Sequence, residues 1–243
     1  MNPPAIPIIF EDNHLLVVIK PANLPSQADD SGDPDLLTLL KEDRKLRYHK
    51  PGNVYLGLVH RLDRPVGGVM VFAKTSKAAA RLSDQVRTRQ LRKTYLAVTR
   101  GRPQAAMGHL EHYLSKDPRT NRVTAVPPGT PGAKEASLDF EVLADAAAAD
   151  LALLRVDLHT GRSHQIRVQL AAIDHPLFGD RKYGARAGKE EPGQPIALWA
   201  TALHFSHPTT KEPLTFQAPP PAVHPWLLFE SAGHWARSSI TAR

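Results

Sequence analysis

An aspartate between two arginines is the feature of this sequence best suited to chemistry. Asp63 lies between Arg61 and Arg64 in residues 60–68, a segment that ends in two glycines. Flanking positive charge favours an ionised carboxylate, and glycine lets the backbone approach a ligand closely. Such a carboxylate acts as a nucleophile or as a base. By spacing alone, the competing interpretation is an ion pair of Asp63 with either arginine in a surface turn.

A second segment, residues 159–167, combines Arg162 and Arg167 with His159 and His164. It runs from the end of a predicted strand, through a glycine turn, onto a predicted helix N-terminus. The free amides and the dipole of a helix N-terminus attract phosphate or carboxylate groups. The segment therefore predicts an anion site, and a basic, solvated helix start is the alternative.

A third segment, residues 81–102, is strongly basic. Its single acid is Asp84, and Tyr95 lies inside it; its cations are Arg81, Arg87, Arg89, Arg92, Lys93, Arg100 and Arg102. Cations contact phosphates and an aromatic ring stacks on a base, so the pattern is typical of nucleic-acid contact. The alternative is a solvated helix face next to a half-buried strand tyrosine.

Composition narrows the class of protein. The chain has 243 residues, is 42% hydrophobic and carries a net charge of +7, which predicts one catalytic domain, residues 1–243, with a polyanionic partner. Cysteine is absent, which excludes disulfides, thiolate zinc sites and a cysteine nucleophile. No Walker A, GxGxxG or GxSxG motif occurs, so nucleotide-driven and serine-hydrolase chemistry lose their usual markers.

We expect no metal site, because HExxH is absent and His159 and His164 lack a ligand triad at the usual spacings. His204 and His207 are interpreted as surface or hydrogen-bonded residues. No stretch approaches the roughly 18 apolar residues of a membrane span, and no heptad seam is visible. We therefore expect a cytoplasmic monomer.

Strands dominate the predicted elements: residues 7–10, 15–19, 67–74, 93–99, 140–143, 151–158, 198–206 and 214–217. One helix begins at a Thr75 or Ser76 cap, and a second, capped by Ser163, reaches about Ile173. Residues 103–131, rich in turn formers, are predicted to be an irregular surface excursion. The expected class is α+β with a largely antiparallel mixed sheet and few flanking helices.

Four motifs in order resemble the RluA family of pseudouridine synthases. They are EDNHLLVVIKPANLPS at residues 11–26, HRLD at 60–63 followed by paired glycines and VMVFAK, RKTYLAV at 92–98, and TGRSHQIRVQLAAIDHPLFGDRKYG at 160–184. The resemblance covers about residues 8–217, and residues 219–243 are expected to be a partly irregular tail. Residues 65–68, Pro-Val-Gly-Gly, depart from the Thr-Ser-Gly-like stretch of many members.

The resemblance implies the fold of this family with a central active-site cleft, and isomerisation of uridine in ribosomal or transfer RNA without cofactor or metal. It implies that Asp63 is catalytic, that Tyr95 stacks on the flipped base, and that Arg167, or as second choice Arg162, pairs with the aspartate. The expected RNA-contacting residues are Arg61, Arg64, Arg89, Arg92, Lys93, Arg162 and His164.

Three questions stay open at the level of the sequence. Asp63 either attacks the ribose anomeric carbon or acts as a base that leads to a glycal. A non-catalytic RNA-binding or ribosome-assembly module would use the same basic surface, and a metal-dependent phosphoesterase would use the histidines.

Because the first motif begins almost at residue 8, we expect the N-terminal RNA-binding domain of many members to be absent.

Overall fold

The computed structural model describes residues 6–184 and 195–232, which form two compact units. Within these residues, unit 1 consists of residues 6–93 and 200–219, and unit 2 of residues 94–184, 195–199 and 220–232. The single catalytic domain therefore stays a prediction.

The described residues contain eleven strands, three α-helices and two 3₁₀ helices. The strands are β1 (Ile8–Glu11), β2 (Leu15–Lys20), β3 (Gly57–Leu58), β4 (Gly67–Ala73), β5 (Arg92–Arg100), β6 (Met107–Asp117), β7 (Arg122–Val126), β8 (Lys134–Ala146), β9 (Leu151–Leu158), β10 (Leu198–Ser206) and β11 (Pro213–Gln217). The helices are α1 (Leu36–Arg47), α2 (Ser76–Arg87) and α3 (Gln165–Ala172), and the 3₁₀ helices are Ala147–Ala149 and Trp226–Ala232.

Unit 1 is built on the strand order β1-β2-β4-β10, with β11 paired to β10 and β3 to β4. Every residue of β4 is buried, as expected for a central strand written as a continuous apolar run. Helix α2 covers the sheet with Ala78 and Leu82, and Thr75 caps it by accepting a hydrogen bond from the Ala78 amide at 3.1 Å. The cap and the helix were both predicted, and both are confirmed.

Helix α1 and the two-residue strand β3 are elements of unit 1 that the sequence analysis did not predict. Asp35 caps the helix by accepting a hydrogen bond from the Thr38 amide at 3.0 Å, and Leu36, Leu40 and Arg44 are buried along one side. An acidic cap followed by apolar residues four apart is a regular helix signal. The prolines that precede it had directed the interpretation toward a loop.

Unit 2 is built on the strand order β5-β9-β8-β6-β7. Strands β8 and β9 are antiparallel, with a register shift between Val142 and Ala144, and β6 pairs antiparallel with both β8 and β7. The strand pairs with a described register in both units are antiparallel. This confirms the predicted α+β class with a largely antiparallel sheet.

The prediction of an irregular excursion at residues 103–131 is wrong, because this region contains β6 and its partner β7 in full. In β6 the exposed and less exposed residues alternate, since one face of an antiparallel sheet is solvated. Asn121, at φ 50°, turns the chain from β6 into β7. The Pro and Gly cluster that drove the prediction begins only after β7.

The start of helix α3 also differs from the prediction. Ser163 does not cap it; the N-cap position is His164, in a left-handed conformation at φ 53° and without a side-chain cap. The Gln165 side chain instead accepts hydrogen bonds from the Arg162 amide at 2.9 Å and the Thr160 hydroxyl at 2.8 Å. The Gln165 side chain therefore stabilises the turn that precedes the helix.

Of the predicted tail, residues 219–243, the structure describes only the part up to 232, which includes the second 3₁₀ helix. None of the helices in the described ranges is both long and apolar enough to cross a membrane.

Candidate active site

The segment that carries Asp63 is anchored within unit 1 by hydrogen bonds at His60 and at Leu62. His60 Nε2 accepts a hydrogen bond from the Val71 amide of β4 at 3.1 Å. The Ser26 hydroxyl donates to the Leu62 carbonyl at 2.8 Å and accepts from the Leu62 amide at 3.2 Å. These contacts hold the backbone just before Asp63, so a partly buried carboxylate is presented from a fixed turn.

His60 is buried and neutral. Burial, with a smaller effect of the nearby Lys93 charge, lowers the pKa of His60 to about 3. Since Nε2 accepts the Val71 amide hydrogen, the neutral ring carries its proton on Nδ1. His60 is therefore a packing and anchoring residue at ordinary pH, and it is not placed to act as an acid.

Lys20 is the charged neighbour of Asp63 that sequence reasoning missed. Its side chain is 0% exposed, and its ammonium donates to the carbonyls of Leu24 at 2.6 Å, Pro21 at 2.9 Å and Arg64 at 3.1 Å. Burial lowers the pKa of Lys20 to about 7, while the Asp63 carboxylate opposes that shift. The residue stood inside the first motif but was given no role there.

The titration of Lys20 predicts a pH dependence of stability. Its pKa is lower in the folded chain than in the unfolded one, so the unfolded state binds more protons between about pH 7 and pH 10. The free energy of unfolding should therefore rise with pH across this window, by up to about 1 kcal/mol per pH unit. Urea unfolding of the wild-type chain at pH 7, 8, 9 and 10 measures this slope.

Lys20→Met should reduce that pH dependence and leave the part contributed by Lys93, whose pKa is also lowered by burial, whereas Lys77→Met, which changes an exposed lysine of α2, should keep the full slope. An equal slope in wild type and Lys20→Met would show that Lys20 does not titrate in this range.

The two arginines beside Asp63 are not equivalent. Arg64 is turned toward the loop that precedes α1, where it pairs with Asp33 and contacts the Ser31 hydroxyl at 3.1 Å. The Arg61 side chain is exposed. Both arginines are exposed, but the Arg64 guanidinium is engaged by Asp33, so Arg61 is the better candidate for contact with a polyanion.

The remaining predicted RNA-contacting residues of unit 1 lie in the turn after α2 and at the start of β5. Arg89, in a left-handed turn at φ 61°, and Arg92, at the first position of β5, are both exposed. Lys93 is partly buried, and burial lowers the pKa of its ammonium. The two arginines are thus permanent surface charges, while Lys93 is the weaker candidate for a phosphate contact.

In unit 2, Tyr95 lies on β5 and is buried; residues 95–99 are all buried, so both faces of this part of the strand are covered. Arg167, on α3, is held by Asp180: its Nε and Nη2 donate to the two carboxylate oxygens, both at 2.8 Å. The side chains are 8% and 0% exposed. A bidentate pair of this kind fixes the plane of the guanidinium.

Tyr183 links Arg167 to a second predicted residue, His164. The Arg167 guanidinium lies over the Tyr183 ring, 5.1 Å from its centroid, and the Tyr183 hydroxyl contacts His164 Nδ1 at 2.6 Å. Burial raises the pKa of Tyr183, so the phenol stays protonated at neutral pH. Asp180 and Tyr183 both stand in the last motif, and sequence reasoning assigned neither a role.

Arg162 is placed differently from Arg167. Its side chain is exposed, and its Nε donates to the Glu135 carbonyl at 2.8 Å. Arg167 is therefore the buried arginine with two hydrogen bonds to a carboxylate. Arg162 is exposed, as a residue that contacts RNA at the surface would be.

The structure thus distributes the predicted residues between the two units. Unit 1 contains Asp63 with Arg61, Arg64, Arg89, Arg92 and Lys93, and unit 2 contains Tyr95, Arg162, His164 and Arg167. Within unit 1 it brings Lys20 to Asp63, and within unit 2 it brings His164 and Arg167 to Tyr183.

Comparison with known proteins gives a consistent result. A family model described as RNA pseudouridylate synthase matches residues 14–172. The uncharacterized RNA pseudouridine synthase YhcT of Bacillus subtilis (strain 168) is 36% identical over 221 residues, which are 88% of this chain and 68% of the relative. The dual-specificity RNA pseudouridine synthase RluA of Escherichia coli (strain K12) is 33% identical over 226 residues, 90% of this chain and 96% of the relative.

A third relative, the ribosomal large subunit pseudouridine synthase D of Vibrio vulnificus (strain CMCP6), is 34% identical over 228 residues, 88% of this chain and 67% of the relative. Among solved structures, human RNA pseudouridylate synthase domain containing 4 has a TM-score of 0.72 at 25% identity and covers 88% of each chain.

Proposed function

Because the chain belongs to the RluA-type family of RNA pseudouridine synthases, it is an isomerase that acts on RNA, and we propose that Asp63 is its catalytic carboxylate. The observation that carries this assignment is that the backbone just before Asp63 is held by hydrogen bonds of His60 and Ser26. The Lys20 ammonium lies near the Asp63 carboxylate. A carboxylate held in place needs little reorganisation to act on a bound nucleotide.

The reaction breaks the bond between uracil nitrogen 1 and the ribose anomeric carbon, and forms a bond from that carbon to uracil carbon 5. A proton leaves carbon 5 and one is gained at nitrogen 1, so atoms and electrons balance without a redox partner. Asp63 either attacks the anomeric carbon or removes a ribose proton to give a glycal. In both routes a carboxylate favours the cationic character that develops at the sugar.

Arg167 is proposed as the basic partner of the catalytic aspartate, in preference to Arg162. Its two bonds to Asp180 fix its orientation, and a rigid guanidinium costs little entropy when it binds a carboxylate. Arg162 is instead exposed and bonded to a backbone carbonyl. Its surface position supports a contact with the RNA backbone.

Tyr95 is proposed as the ring on which the flipped base stacks, which offsets part of the roughly few kcal/mol that base flipping costs. Tyr95→Phe should keep the stacking surface and lose any proton transfer by the hydroxyl, so we expect a fall of about 10²-fold in the single-turnover rate of pseudouridine formation, with RNA affinity unchanged. A rate equal to that of the wild type would reduce Tyr95 to a stacking platform.

Ribosomal or transfer RNA is the proposed substrate. One relative is named a dual-specificity enzyme and another a large-subunit ribosomal enzyme, and the net charge of +7 together with exposed Arg61, Arg89 and Arg92 suits a phosphate backbone. That the protein works in the cytoplasm and as a monomer stays a prediction.

The substrate is tested by incubating unmodified ribosomal and transfer RNA with the wild-type chain and with Asp63→Asn, then mapping pseudouridine by chemical labelling and reverse-transcription stops. New stops with the wild type alone would establish the RNA class and the uridine. If both proteins bound both RNAs and neither produced stops, the RNA-binding module would replace the enzyme for these substrates.

A further inference from the structure

Three strands of unit 2 bring two histidines and a carboxylate together on one exposed face. His109 of β6 lies directly opposite Asp139 of β8, and Asp157 of β9 lies opposite Asp139 on the other side. His159 follows two residues after Asp157. Side chains two apart point to the same face of a sheet, so both imidazoles reach the same carboxylate.

The side-chain nitrogen and oxygen atoms of this cluster lie close enough together to bind one ion. His109 Nδ1 lies 2.6 Å from one carboxylate oxygen of Asp139, and His159 Nε2 lies 2.7 Å from the other. One nitrogen or oxygen from each residue lies within 4.8 Å of the others. The three side chains are 43–52% exposed, so water has access to any ion bound between them.

Local charge also favours a cation here, although the chain as a whole is basic. Two aspartates, Asp139 and Asp157, face each other across β8 and β9, and like charges directly opposite destabilise a strand pair. The nearby Arg155 pairs with Glu141 at 2.8 Å and with Asp157 at 3.4 Å. The ion pairs described for Asp139 are those with the two histidines.

We propose that His109 Nδ1, Asp139 and His159 Nε2 form a binding site for a divalent transition metal, with Zn²⁺ as the best match and water completing the coordination. Two imidazoles and one carboxylate suit zinc, nickel or copper, whereas magnesium and calcium prefer all-oxygen sites. The ligand atoms of a tetrahedral zinc ion lie about 3.4 Å apart. Rotation of the exposed side chains of His109, Asp139 and His159 can bring their ligand atoms to this separation.

The proposed role of the ion is structural. A metal held by β6, β8 and the end of β9 would link three strands of unit 2. It would replace the hydrogen bonds of the two histidines to Asp139, which are weak because they are exposed to water. The members of the cluster lie 20 and 30 residues apart in sequence. This spacing differs from the local ligand patterns by which zinc sites are recognised.

The test is a calorimetric titration of Zn²⁺ into the untagged full chain at pH 7.5 in a non-chelating buffer. We expect one zinc per chain, with an affinity lowered at least about tenfold in each of His109→Asn, Asp139→Asn and His159→Asn. His49→Asn, which changes an exposed histidine of unit 1, is the matched control and should bind like the wild type.

Thermal unfolding provides a second measurement on the same proteins. Zinc should raise the unfolding temperature of the wild type and of His49→Asn, and should raise that of the three cluster variants less at the same zinc concentration, because stabilisation by a ligand falls as its affinity falls. Absence of stoichiometric binding to the wild type, or wild-type affinity in the three cluster variants, would overturn the proposal. Because the substituted side chains are exposed, we expect all variants to fold.

Discussion

We expect Asp63→Asn to lower the rate of pseudouridine formation by about 10³-fold or more, while RNA affinity stays within about threefold of the wild type. The amide has almost the shape of the carboxylate but neither its charge nor its nucleophilicity. The backbone anchors at His60 and Leu62 do not involve the Asp63 side chain, so the turn should survive the change. Single-turnover assays with saturating enzyme measure the chemical step, and a filter-binding titration measures affinity.

Asp84→Asn is the matched control, since it makes the same chemical change at an exposed aspartate of α2. It should retain full turnover. Turnover by Asp63→Asn at more than about a tenth of the wild-type rate would exclude Asp63 as the catalytic carboxylate. Equal loss in both variants would point to a nonspecific effect of the substitution.

We expect Asp180→Asn to lower the free energy of unfolding by about 3–5 kcal/mol. The change leaves the Arg167 guanidinium buried without its bidentate partner. It also weakens the acceptor that holds the amides of Lys182 at 3.0 Å and Tyr183 at 3.2 Å. Loss of a bidentate partner by a buried charge is costly, because that interaction no longer offsets the cost of burying the guanidinium. Urea unfolding at pH 7.5, followed by circular dichroism, measures the loss.

Asp84→Asn serves again as control, because it removes an aspartate from an exposed ion pair with Arg87 and should cost about 0–1 kcal/mol. A similarly small loss for Asp180→Asn would mean that water reaches Arg167 and that Asp180 does not hold its guanidinium. The positioning proposed for Arg167 would then lose its physical basis.

Local patterns predicted most of the strands, and for a clear reason. Strands β4, β9 and β10 are apolar runs or alternations whose signal lies within a few neighbouring residues. The half-solvated β6 and β7 were missed, because their many polar residues and the adjacent Pro-Gly cluster resemble a loop. Helix α1 was missed despite its Asp35 cap.

The sequence by itself determined the family of this protein and its candidate carboxylate. The motifs around Asp63, Tyr95 and Arg167 are contiguous stretches, and both their chemistry and their order can be read without coordinates. The four motifs also contain Lys20, Asp180 and Tyr183, but nothing in local spacing assigns these residues a partner.

Only the tertiary structure decided those partners. It buries Lys20 near Asp63, 43 positions along the chain, bonds Arg167 to Asp180, turns Arg64 to Asp33, and gathers His109, Asp139 and His159. Burial and charge pairing depend on distances between segments that the chain brings together only when its strands pair. The residue types set what chemistry is possible, and the packing of the strands selects which groups meet, which lose water and which keep their charge.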